Sequence, residues 1–204
     1  MNISSTKTAA RVARRTYQQK QRAESAEETR RRIVQATFEL HGEQGIAATT
    51  MKHIADRAGV SIGTVYHHFP TLDQTVQACG QMVMAMYPTP TEAILEDAKT
   101  LRERVFRLAR ALFEHLDAVG FDLVRPDRHR VPIVRHFVAE EEAQRIELTR
   151  AALAPFKVDR DLIRIVAALL DIEVYRGLQR AGLSLDQAAE AITDIIHARV
   201  TRKE

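Results

Sequence analysis

Residues 50–69 read TMKHIADRAGVSIGTVYHHF, and this stretch decides the fold. Ala55 is small enough to stand where two helices cross, and Gly59 suits the left-handed residue that ends the first helix. Ser61 suits the N-cap of a second helix, and Val65 supplies its apolar contact with the first. The spacing predicts a helix-turn-helix with helices at 51–58 and 62–68, whose second helix enters a DNA groove. The alternative is an ordinary helical hairpin that turns on a glycine.

Composition and charge favour an all-α protein that contacts a polyanion. The 204 residues include 5% aromatic residues, no tryptophan, eight glycines and six prolines, which favours helices over strands. One cysteine, Cys79, excludes a disulfide within the chain and is typical of a reducing compartment. No apolar stretch reaches the roughly 18 residues of a membrane span and none opens the chain as a signal peptide, so we expect a cytoplasmic protein. Residues 1–75 carry eleven Lys and Arg against seven Asp and Glu, whereas residues 76–204 carry nineteen against twenty.

The chain divides into three predicted segments. Residues 1–25 form a basic tail, either disordered or loosely helical, or else an arm that lies along phosphates or in the minor groove. Residues 26–87 form the DNA-binding domain. Pro88 and Pro90 then break the chain, and residues 88–204 form a second helical domain.

Capping signals predict where the helices of the DNA-binding domain begin. Ser25 and Glu28 have the spacing of a capping box, which predicts a packed helix that starts at Ala26. Thr71 and Gln74 predict the cap of a fourth helix that runs to about residue 86.

The second domain shows the apolar periodicity of long helices. Its predicted elements are an amphipathic helix at Glu92–Val119, a loop at Gly120–Val131 containing Arg125, Arg128 and Arg130, a helix from Pro132 to about Pro155, a helix at Leu162–Arg180, and a last helix after a capping box of Ser184 and Gln187. The arginines of the loop could meet an anionic ligand, although a solvated loop is the simpler interpretation.

The last two helices carry enough apolar surface to predict a homodimer. The helix at Leu162–Arg180 is apolar nearly all round, so it needs burial on more than one side. A four-helix bundle shared by two subunits would supply that burial, and packing within one chain is the alternative. The predicted interface residues are Leu162, Val166, Leu169, Leu170, Leu185, Ala188, Ile192, Ile195 and Ile196.

The helix-turn-helix region resembles the TetR family of bacterial transcriptional repressors. The family pattern is matched at Thr50, Ile54, Ala55, Ala58, Gly59, Val60, Ser61, Gly63, Thr64, Tyr66, His68 and Phe69. The resemblance implies an N-terminal three-helix helix-turn-helix domain and a C-terminal helical domain for ligand binding and dimerisation. It also implies a bacterial protein that associates with the nucleoid when bound to DNA.

The resemblance implies roles for residues around the motif. Ile62, Gly63, Thr64 and His67, together with Ser61 at the start of the second helix, would read base edges in the major groove. Thr50 and Tyr66 would bind phosphates through their hydroxyls, Lys52 would reach a base or phosphate, and Arg30 and Arg31 would touch the backbone. The family often has lysine at the start of the fourth helix, where this chain has Leu72, so the basic tail is the candidate to supply that contact.

The resemblance also implies a ligand pocket, although each of its candidate residues fits an ordinary helical core as well. The candidates are Met82, Met86, Phe106, Phe113, His115, Phe137 and Tyr175. His136, Glu140 and Glu141 have a possible metal-ligand spacing, but a glutamate run on a helix is usually a solvated face, so no metal or cofactor is predicted.

The sequence therefore predicts a homodimeric repressor that binds a near-palindromic operator and is released by a small-molecule effector. No paired nucleophile and base and no phosphate-binding loop occur in the chain, so an enzyme is not expected. The alternatives are a DNA-binding regulator without an effector, and a helical metal-binding or enzymatic bundle.

Overall fold

The computed structural model describes residues 3–120, 127 and 130–201, with side chains from residue 15 onward, and the regular secondary structure of this part of the chain is all helical. Its α-helices are α1 Ile3–Gln44, α2 Met51–Ala58, α3 Ile62–His68, α4 Leu72–Met86, α5 Leu101–Val119, α6 Pro132–Leu153, α7 Arg160–Leu169, α8 Ile172–Arg180 and α9 Leu185–Thr201. Short 3₁₀ turns lie at Glu92–Leu95 and Ala154–Phe156. The all-α prediction is confirmed for these residues, among which no helix is long and apolar enough to cross a membrane.

The chain separates into two compact units, Met1–Cys79 and Gly80–Glu204, and the division falls inside α4. The first unit buries one apolar face from each of its helices. Its core side chains include Ile33 and Leu40 of α1, Ile54 of α2, Val65 of α3 and Val76 of α4. Around this core α2 packs against α1, and α3 packs against α2.

Helix α1 begins at Ile3, so the prediction of a helix start at Ala26 was wrong. Ser25, the expected N-cap, lies inside α1, where its carbonyl accepts a hydrogen bond of 2.9 Å from the Thr29 hydroxyl. No glycine or proline interrupts residues 3–41, so nothing in the backbone stops the helix from extending upstream. All residues from 15 to 28 are exposed.

The second unit is built around α5, which packs against α9 and α6. Its core is continuous and aliphatic with two stacked aromatic rings, and its fully buried side chains include Val105, Leu108, Phe113, Leu153, Leu170, Ile172, Tyr175, Ile192 and Ile196.

The predicted helix at Glu92–Val119 is interrupted, because α5 begins only at Leu101. Asp97 has a left-handed backbone (φ 61), which ends the preceding turn. Thr100 is the N-cap of α5, and its hydroxyl accepts from the Glu103 backbone N–H at 3.2 Å. The Glu103 carboxylate accepts in return from the Thr100 N–H at 3.0 Å, a capping box that the apolar periodicity concealed.

The predicted helix at Leu162–Arg180 is also two helices, α7 and α8, which meet at Leu170 and Asp171. Asp171 caps α8 by accepting from the Glu173 N–H at 3.0 Å. The buried Arg145 of α6 donates to the Ala167 carbonyl at 2.9 Å and forms an ion pair with Asp171 at 3.1 Å. Because the helix ends there, α7 and α8 each bury an apolar face of their own. If the sequence is treated as one continuous helix, these two faces together make it apolar all round.

The predicted starts of two other helices of the second unit are confirmed. Helix α6 begins at Pro132. Before α9, the Ser184 N–H donates to the Gln187 side chain at 2.9 Å, and the Gln187 N–H donates to the Ser184 hydroxyl at 3.3 Å. In the predicted loop before α6, Arg125 and Arg128 lie outside the described residues.

Candidate DNA-binding site and effector region

Gly59 and Ser61 end and begin the helices of the helix-turn-helix as the sequence predicted, whereas the cap at Thr50 was not predicted. The Thr50 hydroxyl accepts from the His53 N–H at 3.2 Å at the start of α2. Gly59 ends α2 in the left-handed conformation (φ 64, ψ 41), which a side chain would strain. The Ser61 hydroxyl accepts from the Thr64 N–H at 3.1 Å at the start of α3. These local interactions determine where α3 begins.

Helix α3 presents an open face opposite its buried anchor. Val65 is fully buried, whereas Ile62 and Tyr66 are 46% and 49% exposed. Gly63 and His67 are exposed as well. The exposed surface of α3 therefore combines an apolar side chain, a phenol and an imidazole with backbone that Gly63 leaves uncovered, all within two turns of helix.

Gly63 is not required by the packing of the described residues. A Cβ added there would lie 3.7 Å from Ser61 Oγ, an ordinary van der Waals contact, and the residue lacks a positive φ. Since glycine weakens a helix by up to about 1 kcal/mol relative to alanine, its presence here is unexplained by the chain itself. Close approach of an external partner to the backbone would explain it.

Thr64 is partly buried, and its hydroxyl forms a 2.8 Å hydrogen bond with the Ser61 hydroxyl. One of these two hydroxyls donates to the other, so the pair keeps one O–H to offer to a ligand. Lys52 is exposed and pairs with Asp56 at 2.7 Å, one turn along α2. Such an exposed pair contributes little to stability, so Lys52 can exchange Asp56 for a phosphate at small cost.

The three consecutive arginines at positions 30–32 of α1 have different environments. The guanidinium of Arg30 stacks over the ring of Phe69, with 4.5 Å between Cζ and the ring centroid. Arg31 is exposed and forms an ion pair with Glu28 at 2.6 Å. Arg32, which the sequence analysis missed, donates to the Ala58 carbonyl and, at 3.3 Å, to that of Gly59. The signal was its position directly before Ile33, the first core residue of α1.

A second group of charges that sequence reasoning missed joins α1 to α2. Arg57 of α2 forms ion pairs with Glu43 at 2.6 Å and Glu39 at 3.4 Å. The hydrogen bond from Arg57 lowers the pKa of Glu43 and, reciprocally, raises the pKa of Arg57.

In the last turn of α3, desolvation lowers the pKa of His68, and the neighbouring His67 and Arg30 act in the same direction.

Two of the predicted pocket residues form part of the core of the second unit. The rings of Phe113 and Tyr175 are fully buried and stack at 4.3 Å with 9° between their planes. The Tyr175 hydroxyl donates to the Asp117 carboxylate and accepts from the Gln179 amide at 3.0 Å. Burial and the bond to Asp117 raise the pKa of Tyr175, so it stays a neutral donor. These contacts join α5 to α8.

The other predicted pocket residues are less enclosed. Met82, Phe106, His115 and Phe137 are partly buried, and Met86 is 46% exposed. Desolvation lowers the pKa of His115. The Phe137 ring of α6 packs so closely on the backbone of α4 that a Cβ added at Gly80 would lie 2.7 Å from its Cζ.

Most of the predicted interface residues lie in the core of their own chain. Leu162, Val166, Leu170, Ala188, Ile192 and Ile196 are buried there, whereas Leu169 and Leu185 are partly buried and Ile195 is 55% exposed. Ile165, which was not predicted, is 52% exposed.

The three residues with a possible metal-ligand spacing are divided between two ion pairs. His136 and Glu140 form an exposed pair at 3.3 Å, while Glu141 binds Arg145 at 2.6 Å. Within the described ranges, no group of three or more His, Cys, Asp or Glu side chains is placed to hold a metal ion.

Comparison with known proteins agrees with this geometry. Residues 33–79 match the family model described as bacterial regulatory proteins, tetR family. The HTH-type transcriptional regulator BetI of Rhizobium meliloti (strain 1021) is 26% identical over 84% of this chain and 89% of its own length. The HTH-type transcriptional repressor KstR2 of Mycolicibacterium smegmatis (strain ATCC 700084 / mc(2)155) is 30% identical over a stretch that covers 42% of each protein.

Solved structures extend the similarity to the C-terminal unit. The multidrug binding protein EbrR complexed with imidazole is 26% identical, with a TM-score of 0.60 over 85% of this chain and 89% of that one. The same protein complexed with ethidium is 25% identical, with a TM-score of 0.57 over 85% and 98%. Residues 33–79 therefore form a DNA-binding domain of the TetR family of bacterial regulatory proteins, and the chain along most of its length is similar to transcriptional regulators of this type.

Proposed function

We propose that the protein is a homodimeric repressor that a small-molecule effector releases from a near-palindromic operator. The observation that carries the DNA-binding part is the open face of α3, where Ile62, Gly63, Tyr66 and His67 are exposed beside the buried Val65. The repressor part is supported by the match to KstR2, a named repressor.

The environments of the proposed DNA-contacting residues support a role for each. Ile62 offers an apolar contact to a thymine methyl group, and Gly63 lets the backbone approach a base edge. Tyr66 donates its hydroxyl to a phosphate. The Thr50 hydroxyl can do the same, because its oxygen accepts from His53 and leaves its hydrogen available. Such phosphate contacts orient the protein on DNA, whereas base contacts specify the sequence.

Lys52 and Arg31 complete the proposed phosphate contacts, since each is exposed and only paired with a neighbour on its own helix. Arg30 is better suited to positioning, because its guanidinium is held against Phe69 at the end of α3. The Ser61–Thr64 hydroxyl pair lies at the N-terminus of α3, where one free O–H can reach a base or a phosphate.

The dimer is proposed to form through residues that one chain leaves exposed in its C-terminal helices. Ile165 of α7 and Ile195 of α9 are each more than half exposed, although large apolar residues are usually buried. To read a near-palindromic operator, the two α3 helices of such a dimer would need to lie about 34–36 Å apart, which is one turn of DNA.

The effector is proposed to bind in the C-terminal unit near the partly buried Met82, Phe106, His115 and Phe137. EbrR, which is similar over that unit, has been solved with imidazole and with ethidium. Phe137 is the side chain of greatest interest, because it packs directly on α4 at Gly80. A ligand that moves this ring would act on the helix that continues into the DNA-binding unit. Release requires that the ligand bind the two conformations with affinities differing by about 1–3 kcal/mol or more.

The DNA-binding proposal is tested by selecting an operator from random duplexes and footprinting the complex. We expect a site with two related half-sites. Thr64→Val should change the preferred bases, whereas Tyr66→Phe should weaken binding to every sequence by about 2- to 10-fold through loss of one hydrogen bond. If both variants selected and bound the wild-type site equally well, the role assigned to α3 would be wrong.

The dimer proposal is tested by sedimentation of Ile195→Arg, with Met84→Arg as its control. Both positions are exposed, 55% and 43%, so neither substitution buries a charge in the monomer. We expect only Ile195→Arg to yield monomers and to lose operator affinity. A dimeric Ile195→Arg protein would place the interface elsewhere.

The effector proposal is tested first with ethidium, measured without DNA because ethidium also intercalates. We expect saturable binding that Phe137→Ala weakens and that the control Phe38→Ala, in the DNA-binding unit, leaves unchanged. Compounds found in this way that do not intercalate should then release the operator. If no compound of a broad panel released it, a regulator without a small-molecule effector would be favoured.

A further inference from the structure

Helix α1 extends well beyond the part that packs in the first unit. Its first core residues are Ile33 and Val34, yet the helix begins at Ile3. At about 1.5 Å per residue, the exposed described stretch from 15 to 28 alone is about 20 Å long. Its recorded contacts run along the helix, such as the Tyr17–Gln21 hydrogen bond at 3.2 Å and the Lys20–Glu24 pair at 3.9 Å. A helix that is polar all round is not stabilised by burial.

The charged residues in the first part of this extension are all basic. Lys7, Arg11, Arg14, Arg15, Lys20 and Arg22 precede its first acidic residue, Glu24. Positions 11, 15 and 22 follow one another at steps of four and seven residues, which share one face of an α-helix. Lys20 stands on the opposite face, where it pairs with Glu24.

We propose that the extension at residues 3–28 is a second DNA-contacting element that lies as a helix along the phosphates beside each half-site. This inference rests on the proposed function for the location of the DNA. DNA is the expected partner because its phosphates complement the basic side chains of the extension. The extension is also continuous with the part of α1 that packs against α2 in the helix-turn-helix.

The helical state decides between contact with the phosphates and entry into the minor groove. An α-helix with side chains is about 10–12 Å across, whereas the minor groove is about 6 Å wide, so the extension cannot enter it as a helix. Contacts made to phosphates alone carry no base information. The extension therefore adds affinity and salt dependence without changing the preferred sequence.

The test compares three full-length proteins on a mixed-sequence 40-base-pair duplex and on the selected operator with long and with trimmed flanks. They are the wild type, R11Q/R15Q/R22Q, and the charge-matched control R135Q/R150Q/R160Q, whose substituted residues are exposed positions of the second unit. Each lost phosphate contact reduces the slope of log K against log salt by about 0.9. The first variant should therefore have a slope shallower by about 2.7, so that its affinity deficit is roughly 40-fold greater at 50 mM than at 200 mM salt.

The outcomes separate this proposal from the function on which it rests. A shallower slope for R11Q/R15Q/R22Q alone, with the same preferred bases and with no deficit on trimmed flanks, supports the extension as a phosphate-binding helix. A wild-type slope, or an equal change in the control, overturns it even if an operator is selected. Loss of an A·T preference beside the half-sites overturns it in favour of a non-helical arm in the minor groove. Failure of the wild type to select any operator, with the slope difference retained, overturns the proposed function alone.

Discussion

Replacing Gly63 with alanine should separate the stability of the protein from its ability to bind DNA. An added Cβ meets Ser61 Oγ at 3.7 Å, a distance at which no described atom has to move. The backbone needs no positive φ, so the substitution gains the helix preference of alanine over glycine, about 0.4–1 kcal/mol. For a chain of this length, that gain corresponds to a rise in Tm of about 1–4 °C.

The same methyl group should weaken operator binding. If the backbone at Gly63 lies against a base edge, the Cβ occupies space that the groove needs, and at least one base contact is lost. One such contact contributes about 1–3 kcal/mol, which is about a 5- to 150-fold change in affinity.

The control is Gly42→Ala in the same unit, where no described atom lies within 4 Å of the added Cβ. Gly42 lies in α1 and is exposed, so this variant should gain similar stability and bind DNA as the wild type does. Thermal unfolding by circular dichroism and operator titration by fluorescence anisotropy measure the two effects. A Gly63→Ala protein that binds within twofold of wild type would refute the close approach of α3, and a lower Tm would refute the absence of strain.

Three further predictions concern the C-terminal unit. Arg145→Met should lower the free energy of unfolding by about 3–5 kcal/mol, because it leaves two carboxylates with side chains only 21% exposed without their cation. The control is Arg150→Met, which removes an exposed ion pair and should lower the free energy of unfolding by at most about 1 kcal/mol in urea titrations. Equal losses in the two variants would contradict the stabilising role of the buried Arg145. Desolvation holds the pKa of His115 below its ordinary 6.5, so the unfolded chain binds its proton more readily and stability should fall as pH drops through that value. His115→Gln should flatten the dependence of Tm on pH between 7 and 5, and an unchanged slope would exclude His115 as its source. Gly80→Ala should cost about 1–3 kcal/mol by forcing the Phe137 ring away, and the second substitution Phe137→Leu should restore most of it, whereas no recovery would place the strain elsewhere.

The helix-turn-helix could be predicted almost to the residue because its signals are local. Thr50, Gly59 and Ser61 each act within four residues of their own position, through a cap or a left-handed turn. The extent of α1 could not be predicted in the same way. The capping signal at Ser25 is genuine as a pattern, but a cap forms only where the helix ends, and no residue upstream of Ser25 ends it.

The C-terminal unit was harder to predict because its decisive contacts are distant in sequence. Apolar residues recur at helical spacing through both of its interrupted helices, so periodicity alone favours one continuous helix at each place. At the break near Leu170, Arg145 reaches across from α6 to the Ala167 carbonyl and to Asp171. Neither the arginine nor its partner is unusual within its own helix.

The same break changes the argument about the dimer. A continuous apolar helix would need a second subunit to cover it, and residues such as Leu162 and Ile192 were predicted at the interface on that ground. Once α7 and α8 turn separate faces inward, those side chains are 3% and 2% exposed in a single chain. A residue that is already buried cannot contact a partner unless the subunit rearranges, so the interface has to be sought among the apolar residues that remain outside. Ile165 and Ile195 are the large apolar residues that α7 and α9 leave exposed. The dimer hypothesis therefore depends on these two exposed side chains and not on the apolar periodicity of the sequence.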